Sequence, residues 1–480
     1  MSFPTHFSDI VVAEYGKRPA VRAAGALLAQ LGARVFTTHA GPGPCQALKH
    51  VVSGDALGHI TLRANVLLIC SDRDDTLPLP QDRVGRIVCD IVVGGPTGRP
   101  APGEWTEALL QAATGCAHLT GTSDSLPTTS SVQLIERHGA LFAAAAVLAL
   151  WPSLGSEEPA LNCSVSLFDC GINCLSTYIP FVFGNRIPKR SGNRHPMAVP
   201  WNAYRARDGW VLLCSATDQH WRNLCDLMGR PELKDSPLAK LADRVAGVDE
   251  VDAIVEGWTS RLTVADAIAQ LAGHGLAAGP ITPVSQLASE ANLAHRRTVS
   301  AGDGWRDVSF LNVQPAPAQG ERFAASQPQP GSLPLAGLKV VEIGQYTTAP
   351  LATRQMALLG ANVTKVEPPE GEASTVWPPV QDGLSYFYVI TNSNKQKIHL
   401  DLRSQEGKAA FRRLLGDADV LVENLKPGSL ERLGFGLSEL AEINAAMIYC
   451  SISGFGRETV YPGRPAFDTV VQAMSGLMDA

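Results

Sequence analysis

The chain has 480 residues, 45% of them hydrophobic and 18% charged, with a formal net charge of −6. That length suggests about three domains with ample buried cores, and the mildly acidic balance carries no polyanion-binding signal, so nucleic acid is not expected as a partner. The ten cysteines form no C-x-x-C pair and the histidines are dispersed with no H-E-x-x-H, so no metal is expected and the thiols read as buried groups of a reducing compartment.

The N-terminus, MSFPTHFSDIVVAEYGKRPA, lacks a charged-then-apolar leader pattern. The longest apolar run, Ala140 to Trp151, falls short of the ~20 residues of a spanning helix. The expected location is the cytoplasm, with no membrane partner.

Residues 8 to 40 lie without a gap on a later stretch, LAGLKVVEIGQYTTAPLATRQMALLGANVTKVEPP from Leu335 to Pro369. The apolar run Leu338 to Ile343, the small residues Gly344 to Ala349, the helical pattern through Leu351, Met356 and Leu359, and the run Val363 to Val366 read as β-loop-α-β, the opening of a doubly wound parallel sheet. No G-x-G-x-x-G occurs, so a dinucleotide is not indicated. Val12 falls on Val340, Glu14 on Glu342, Gly16 on Gly344, and Leu31-Gly32-Ala33 on Leu359-Gly360-Ala361. The match continues with Ala64-Asn65-Val66-Leu67 on Ala418-Asp419-Val420-Leu421, Cys89 on Cys450, and Gln111-Ala112 with Gly115 on Gln472-Ala473 with Gly476. A repeat of this length is a whole domain present twice. The first copy is shorter between Ala40 and Ala64, so the tract matching Asn392 to Leu402 is expected to be gone, and Cys70 stands where the second copy has Asn424.

Between the copies come a helical stretch from Gly139 to Trp151, a strand around Val165 to Phe168, and a hairpin from Trp201 to Ala216 turning at Asp208-Gly209. A helix from Asp218 to Met228 and an amphipathic run from Val251 to Leu262 follow. PAPAQGERFAASQPQPGSLP, from Pro315 to Pro334, is low in apolar bulk and reads as a linker.

The segments NSNKQKIHLDL (Asn392 to Leu402), ADVLVENLKPGSLERLGFG (Ala418 to Gly436), IYCSISGFG (Ile448 to Gly456) and RPAFDTVVQAMSG (Arg464 to Gly476) resemble, in order and spacing, the family III CoA transferases, a group that includes the carnitine and formate CoA transferases and the α-methylacyl-CoA racemases. The resemblance implies an α/β chain: a doubly wound parallel, Rossmann-like large domain present twice, with one inserted small α+β domain. The expected boundaries are a degenerate first large domain over 1–194, the small domain over 195–313, a linker over 314–334, and the incomplete N-terminal part of a second large domain over 335–480.

What the resemblance implies about function follows the same matches. Coenzyme A, as acyl-CoA substrate, would lie along the carboxyl ends of the strands. Its adenosine and phosphate end would meet Tyr346, Thr347, Thr348 and Ala349, residues that an ordinary loop before a helix explains equally well. Asn424 and Leu425 would meet pantetheine and diphosphate, the alternative being a turn-forming Asn-x-x-Pro-Gly. Arg432 would meet phosphate, whereas Pro368-Pro369 stand where relatives can carry a basic residue. The α-methylacyl-CoA racemases place a histidine where this chain has Phe467, which carries no proton and disfavours racemase chemistry. Asp468 would be a supporting acid or a plain helix-start charge, and Glu107 is its first-copy counterpart.

The family nucleophile, an aspartate before an Ala-rich helix, would be met at Ile135 in the first copy, with Glu136 adjacent but turned to another face. In the second copy it is expected beyond Ala480. The implied reaction moves CoA from an acyl-CoA to a carboxylic acid through aspartyl anhydride and aspartyl-CoA intermediates. The fused copies would form an intramolecular pseudo-dimer, or the chain an interlocked homodimer. The alternative is a non-catalytic CoA-binding pseudoenzyme or scaffold.

Overall fold

A computed structural model describes residues 7–39, 48–72, 84–94, 105–155, 159–183, 187–215, 217–295, 299–300, 304–305, 332–377, 379–457 and 459–480. The expected linker lies outside the described residues apart from its last three positions.

The first sheet is wholly parallel. Its strands are β1 (Val11–Glu14), β2 (Arg34–Thr37), β3 (His50–Val51), β4 (Val66–Ile69), β5 (Ile87–Val92) and β6 (Leu161–Ser166), in the order β3-β2-β1-β4-β5-β6. Its helices are α1 (Pro19–Gln30), α2 (Gly54–Thr61), α3 (Glu107–Thr114), α4 (Leu134–Leu150) and α5 (Leu167–Cys174). Strands covered on both faces read as unbroken apolar runs, and β4, Val-Leu-Leu-Ile, is buried at every residue. Small residues let α1 and α4 pack closely: Ala20, Ala24, Ala140, Ala143 and Ala144 are all buried in one core with Val21, Leu28 and Val147. Helix α4 begins at Leu134, five residues before the expected start, which brings Ile135 and Glu136 inside it. With the turn that follows, Leu134–Ser153 is 20 residues long and apolar enough by composition to cross a membrane. Here it serves as the central helix of this core.

A three-stranded antiparallel sheet follows, of β7 (Trp201–Ala206), β8 (Gly209–Cys214) and β9 (Ala277–Pro280). Helices α6 (Asp218–Leu227), α7 (Val248–Thr259) and α8 (Val264–Gly273) back it. Thr217 and Thr263 cap α6 and α8 by accepting from the N–H groups of His220 and Asp266. The expected hairpin is present, with Ala206 opposite Gly209.

The third sheet is again wholly parallel. Strands β10 (Lys339–Ile343), β11 (Asn362–Glu367), β12 (Gln396–His399), β13 (Val420–Glu423) and β14 (Ile448–Ser451) run in the order β12-β11-β10-β13-β14. Helices α9 (Thr348–Leu358), α10 (Gln405–Gly416), α11 (Ser429–Arg432) and α12 (Asp468–Met474) accompany it. The rungs correspond to those of the first sheet: Val12 pairs with Val35 and Val66, and Val340 with Val363 and Val420. Val66 pairs with Ile87, and Val420 with Ile448. Gly32 and Gly360 each end a helix at φ 103°, a left-handed stop open to glycine without strain.

One further finding differs from the sequence expectation, and another lies beyond it. The tract matching Asn392 to Leu402 is not gone from the first sheet but shrunk: β3 pairs beside β2 as β12 pairs beside β11. Two residues suffice there because only the edge of the sheet has to be closed. The sequence names no partner for α12, which leaves the third sheet and packs on the small one. Val470, Ala473 and Met474 share a core with Trp201, Leu212, Cys214 and Ala277. The Thr282 N–H donates to the Ala473 carbonyl at 2.9 Å and the Arg464 guanidinium to the Ala278 carbonyl at 2.7 Å.

This docking gives a stability prediction. Met474→Ala removes a side chain that is 6% exposed, and should cost about 2–4 kcal/mol in the urea transition that unfolds the small sheet, as core Met truncations do. Far-UV circular dichroism of variant and parent follows it.

Candidate functional site

In parallel sheets the carboxyl ends of the strands are where chain reversals leave room for a ligand. At the end of β10 the chain turns through Gly344, Gln345, Tyr346 and Thr347 into α9. Gly344 is required by close approach: a Cβ there would stand 2.7 Å from that of Ala349 and 3.1 Å from Asn424 Oδ1. The Asn424 amide, at the end of β13, clamps this turn. Its Oδ1 accepts from the Gln345 N–H at 2.9 Å, and its Nδ2 donates to the Gln345 carbonyl at 2.9 Å and to Thr348 Oγ1 at 2.8 Å.

Beneath the turn lies a buried charge cluster. Glu342, with 0% exposure, pairs with Lys365 at 2.7 Å and with Lys395 at 2.7 Å, and accepts from Thr353 Oγ1 at 2.6 Å. Lys365 also donates to the Gly344 carbonyl at 2.9 Å and pairs with Glu372 at 2.9 Å. Glu372 in turn accepts from the Tyr346 N–H at 2.8 Å and from the Ser374 hydroxyl. Tyr346 is held at φ 63°, a left-handed conformation that non-glycine residues adopt at a cost and keep where the surroundings determine it. Burial brings the Lys395 ammonium down to about 8, against the pull of Glu342.

Around this turn the expected site residues are placed unequally. Thr348 is exposed at the start of α9, a helix whose N-terminus has no side-chain cap. Ala349 is fully buried, leaving only its backbone for contact. The Leu425 N–H donates to Glu423 Oε2 at 2.7 Å and its side chain joins the core of the third sheet. Arg432 is exposed at the end of α11, with Nη2 donating to Ser429 Oγ at 2.8 Å. A hollow of about 240 Å³ opens at the ends of β13 and β14, lined by Glu423, Lys426, Gly428, Tyr449, Ser451 and Arg457 among others. A larger hollow of about 520 Å³ lies away from these groups, against the first residues of β10 and β11 and along α10.

The family described as CoA-transferase family III matches residues 87–332 and 335–480. The chain belongs to that family. It is 40% identical over 148 residues to the acetyl-CoA:oxalate CoA-transferase of Acetobacter aceti, covering 31% of this chain and 38% of that protein. Over 437 residues it is 28% identical to a probable CoA-transferase of Mycobacterium tuberculosis, covering 82% of this chain and 54% of that one. The chain thus spans between about a third and about half of these relatives' length. A crystal structure of a CAIB/BAIF family protein from Brucella suis shares the fold at 21% identity and a TM-score of 0.52, covering 62% of this chain and 92% of that one.

The first half of this CoA-transferase family chain carries different groups at the corresponding crevice. Glu14, on the rung of Glu342, pairs with Lys49 at 2.5 Å, and Lys49 donates to the Arg22 carbonyl at 2.7 Å. Lys395 donates to the Pro350 carbonyl at 2.6 Å, and Pro350 falls on Arg22 in the repeat, so Lys49 does the work of Lys395. Arg18 stands where the second half has Tyr346. Its guanidinium, 1% exposed, pairs with Glu136, 3% exposed, at 3.0 Å.

Ile135, the position matched to the family nucleophile, is fully buried in the core. Glu136, expected to face elsewhere, instead reaches the crevice: its Oε2 accepts from the Ala20 N–H at 2.9 Å, at the start of α1. Burial raises its pKa, with Arg18 opposing the rise. Glu107 caps α4, accepting from the N–H groups of Ile135 and Glu136 at 3.0 Å each and from Gln111 Nε2 at 2.9 Å. Its counterpart Asp468 is exposed on the first residue of α12, one position inside the cap residue Phe467, and likewise accepts from Gln472. Phe467 stacks near Trp201 of the small sheet at 5.1 Å. Sequence reasoning missed Glu342, Lys365, Lys395 and Glu372. A glutamate inside the apolar run of β10 was the available signal.

Two measurements test this arrangement. Asn424→Ala should speed hydrogen exchange of the Gln345 amide by between about twofold and about tenfold, since a net hydrogen bond is worth about 0.5–1.5 kcal/mol, while the Val341 amide inside β10 is unaffected. The second is a pH dependence. Because Lys395 titrates near 8 in the folded chain rather than at its ordinary 10.5, the unfolded chain holds more protons between those values. Its contribution to stability therefore rises with pH across that window. Lys395→Met should abolish this rise in urea titrations at pH 8 and pH 10.

Proposed function

We propose that the chain is part of a CoA transferase that moves CoA from an acyl-CoA to a carboxylic acid, and that residues 335–480 furnish its CoA crevice. The observation that carries this reading is the turn between β10 and α9, fixed by Asn424 and Glu372 before any ligand arrives and followed by an uncapped helix start. Backbone N–H groups at such a helix start favour an anionic or strongly polar group. The adjoining hollow, with Lys426 and Arg457 on its wall and Arg432 exposed on α11, offers cations to phosphates.

In this reading the two parallel sheets are two copies of one fold, supported by the matching order and rungs of five strands in each, and residues 195–313 are a small domain inserted in the first copy. The first copy is non-catalytic: Ile135 cannot attack a thioester, and Glu136 is held by Arg18 and the Ala20 N–H. The carboxylate nucleophile of the anhydride chemistry is supplied from outside residues 1–480. The docking of α12 on the small sheet fits an intramolecular pseudo-dimer. A second reading, a CoA-binding scaffold without its own chemistry, is favoured by that same locked pair in the first copy.

Calorimetric titration of the chain with free CoA tests the crevice. One CoA per chain is expected, with Arg432→Ala weakening binding about tenfold, the scale of one charge-assisted contact of about 1.5–3 kcal/mol. Absence of binding, or two equal sites per chain, would overturn the assignment. Acyl-CoA followed by hydroxylamine then separates the readings by intact mass: a trapped adduct on a longer polypeptide containing this chain supports the transferase, and none supports the scaffold.

A further inference from the structure

Three aromatic rings stand over the turn that begins α9. The Tyr346 ring stacks on Trp377 with centroids 5.2 Å apart and planes at 27°, and Trp377 lies 5.0 Å from Phe387 at 54°. Tyr346 cannot swing away cheaply, since its left-handed backbone is fixed by the bond to Glu372. The wall continues into exposed apolar groups on the turn at 373–376 and the short hairpin beside it: Val376 is 75% exposed, Val380 47% and Leu384 60%. Soluble surfaces rarely cluster apolar side chains at the mouth of a polar crevice without a ligand to cover them.

The first half shows which end of a substrate this wall would meet. There a carboxylate, that of Glu136, sits on the Ala20 N–H at 2.9 Å, and Ala20 falls on Thr348 in the repeat. A carboxyl group under reaction beside Thr348 places Tyr346, two residues earlier, at the acyl end rather than the adenosine end.

The charges nearby are already satisfied. Lys365, 1% exposed, donates to Glu342 and to the Gly344 carbonyl and lies 2.9 Å from a second carboxylate, that of Glu372. Lys395 donates to Glu342, the Pro350 carbonyl and Asn392 Oδ1. Both ammonium groups are 1% exposed and already face protein carboxylates, so neither is presented to a second carboxylate on the substrate, and burying that carboxylate against aromatic faces would be costly.

Resting on the proposed transferase reading, we infer that Tyr346, Trp377 and Phe387 form the acyl subsite and select an apolar monocarboxylic acyl group over a dicarboxylic one. The test is titration of the chain with free CoA, butyryl-CoA, benzoyl-CoA and succinyl-CoA, butyryl and succinyl differing by the terminal carboxylate. Butyryl-CoA and benzoyl-CoA should bind about tenfold tighter than free CoA, the scale of one well-covered aromatic contact, and succinyl-CoA no tighter than free CoA. Trp377→Ala should abolish the gain while leaving free CoA binding unchanged, which also certifies the fold of the variant, and Trp377→Phe should keep most of it. Succinyl-CoA binding as tightly as butyryl-CoA, or a gain that survives Trp377→Ala, overturns the subsite while leaving the CoA crevice standing. Failure of every CoA species to bind overturns both.

Discussion

A carboxylate with no exposed surface, that of Glu342, is the constraint on which the second parallel sheet depends. Its burial inside an apolar strand would be prohibitive alone. It is met by ammonium groups from two other segments of the sheet and by a hydroxyl from α9, so strand, neighbouring strand and helix are tied at one point. Breaking such a buried pair costs about 3–5 kcal/mol, because the partner left behind has no water to turn to. The cluster therefore fixes register as well as charge: a slip of β11 by one residue would carry Lys365 to the other face and leave Glu342 half compensated.

The same point sets the geometry of the crevice. Lys365 holds the Gly344 carbonyl, Glu372 holds the Tyr346 N–H, and Asn424 holds Gln345 on both its backbone groups. These internal bonds determine the turn's shape, which lowers the conformational entropy that binding would have to remove. The first half keeps a reduced version. Glu14 has one lysine, Lys49, and Gly25 stands where α9 has Thr353. A Cβ on Gly25 would meet Glu14 Oε2 at 2.1 Å. Burial leaves the Glu14 carboxyl raised above its ordinary value, with Lys49 and, more weakly, Arg22 opposing the rise.

How much of this the sequence discloses depends on range. The strands were legible because apolar runs such as Val340 to Ile343 and the Leu-Gly-Ala helix stops are local signals. Lys49 was not legible as the partner of Glu14. It lies 35 residues from Glu14, whereas Lys395 lies 53 from Glu342, and a two-residue edge strand leaves no pattern. Glu136 was misjudged for a related reason: starting the helix at Gly139 leaves that residue outside it, whereas a start at Leu134 aims its carboxylate at α1. The periodicity of Val470, Ala473 and Met474 announces a helix but names no partner, and the partner turned out to be a sheet some 190 residues earlier, as the bond from Arg464 to Ala278 shows.

The two crevices, alike in strand order, differ most at one position. Arg18 in the first pairs with Glu136, whose carboxylate accepts from the Ala20 N–H at the helix start. Both groups are almost wholly buried, so opening that crevice would separate an ion pair in a dry setting. The second half has Tyr346 in the same place, an aromatic group with nothing to neutralise, and no residue among those described lies on the Thr348 end of α9 as Glu136 lies on α1. An exchange of a cation for a ring at this position thus goes with a buried ion pair at the helix start of the first half and a stacked ring at that of the second. The same ion pair ties α4 to the start of α1 in the first half, and breaking it would leave a buried charge without its partner.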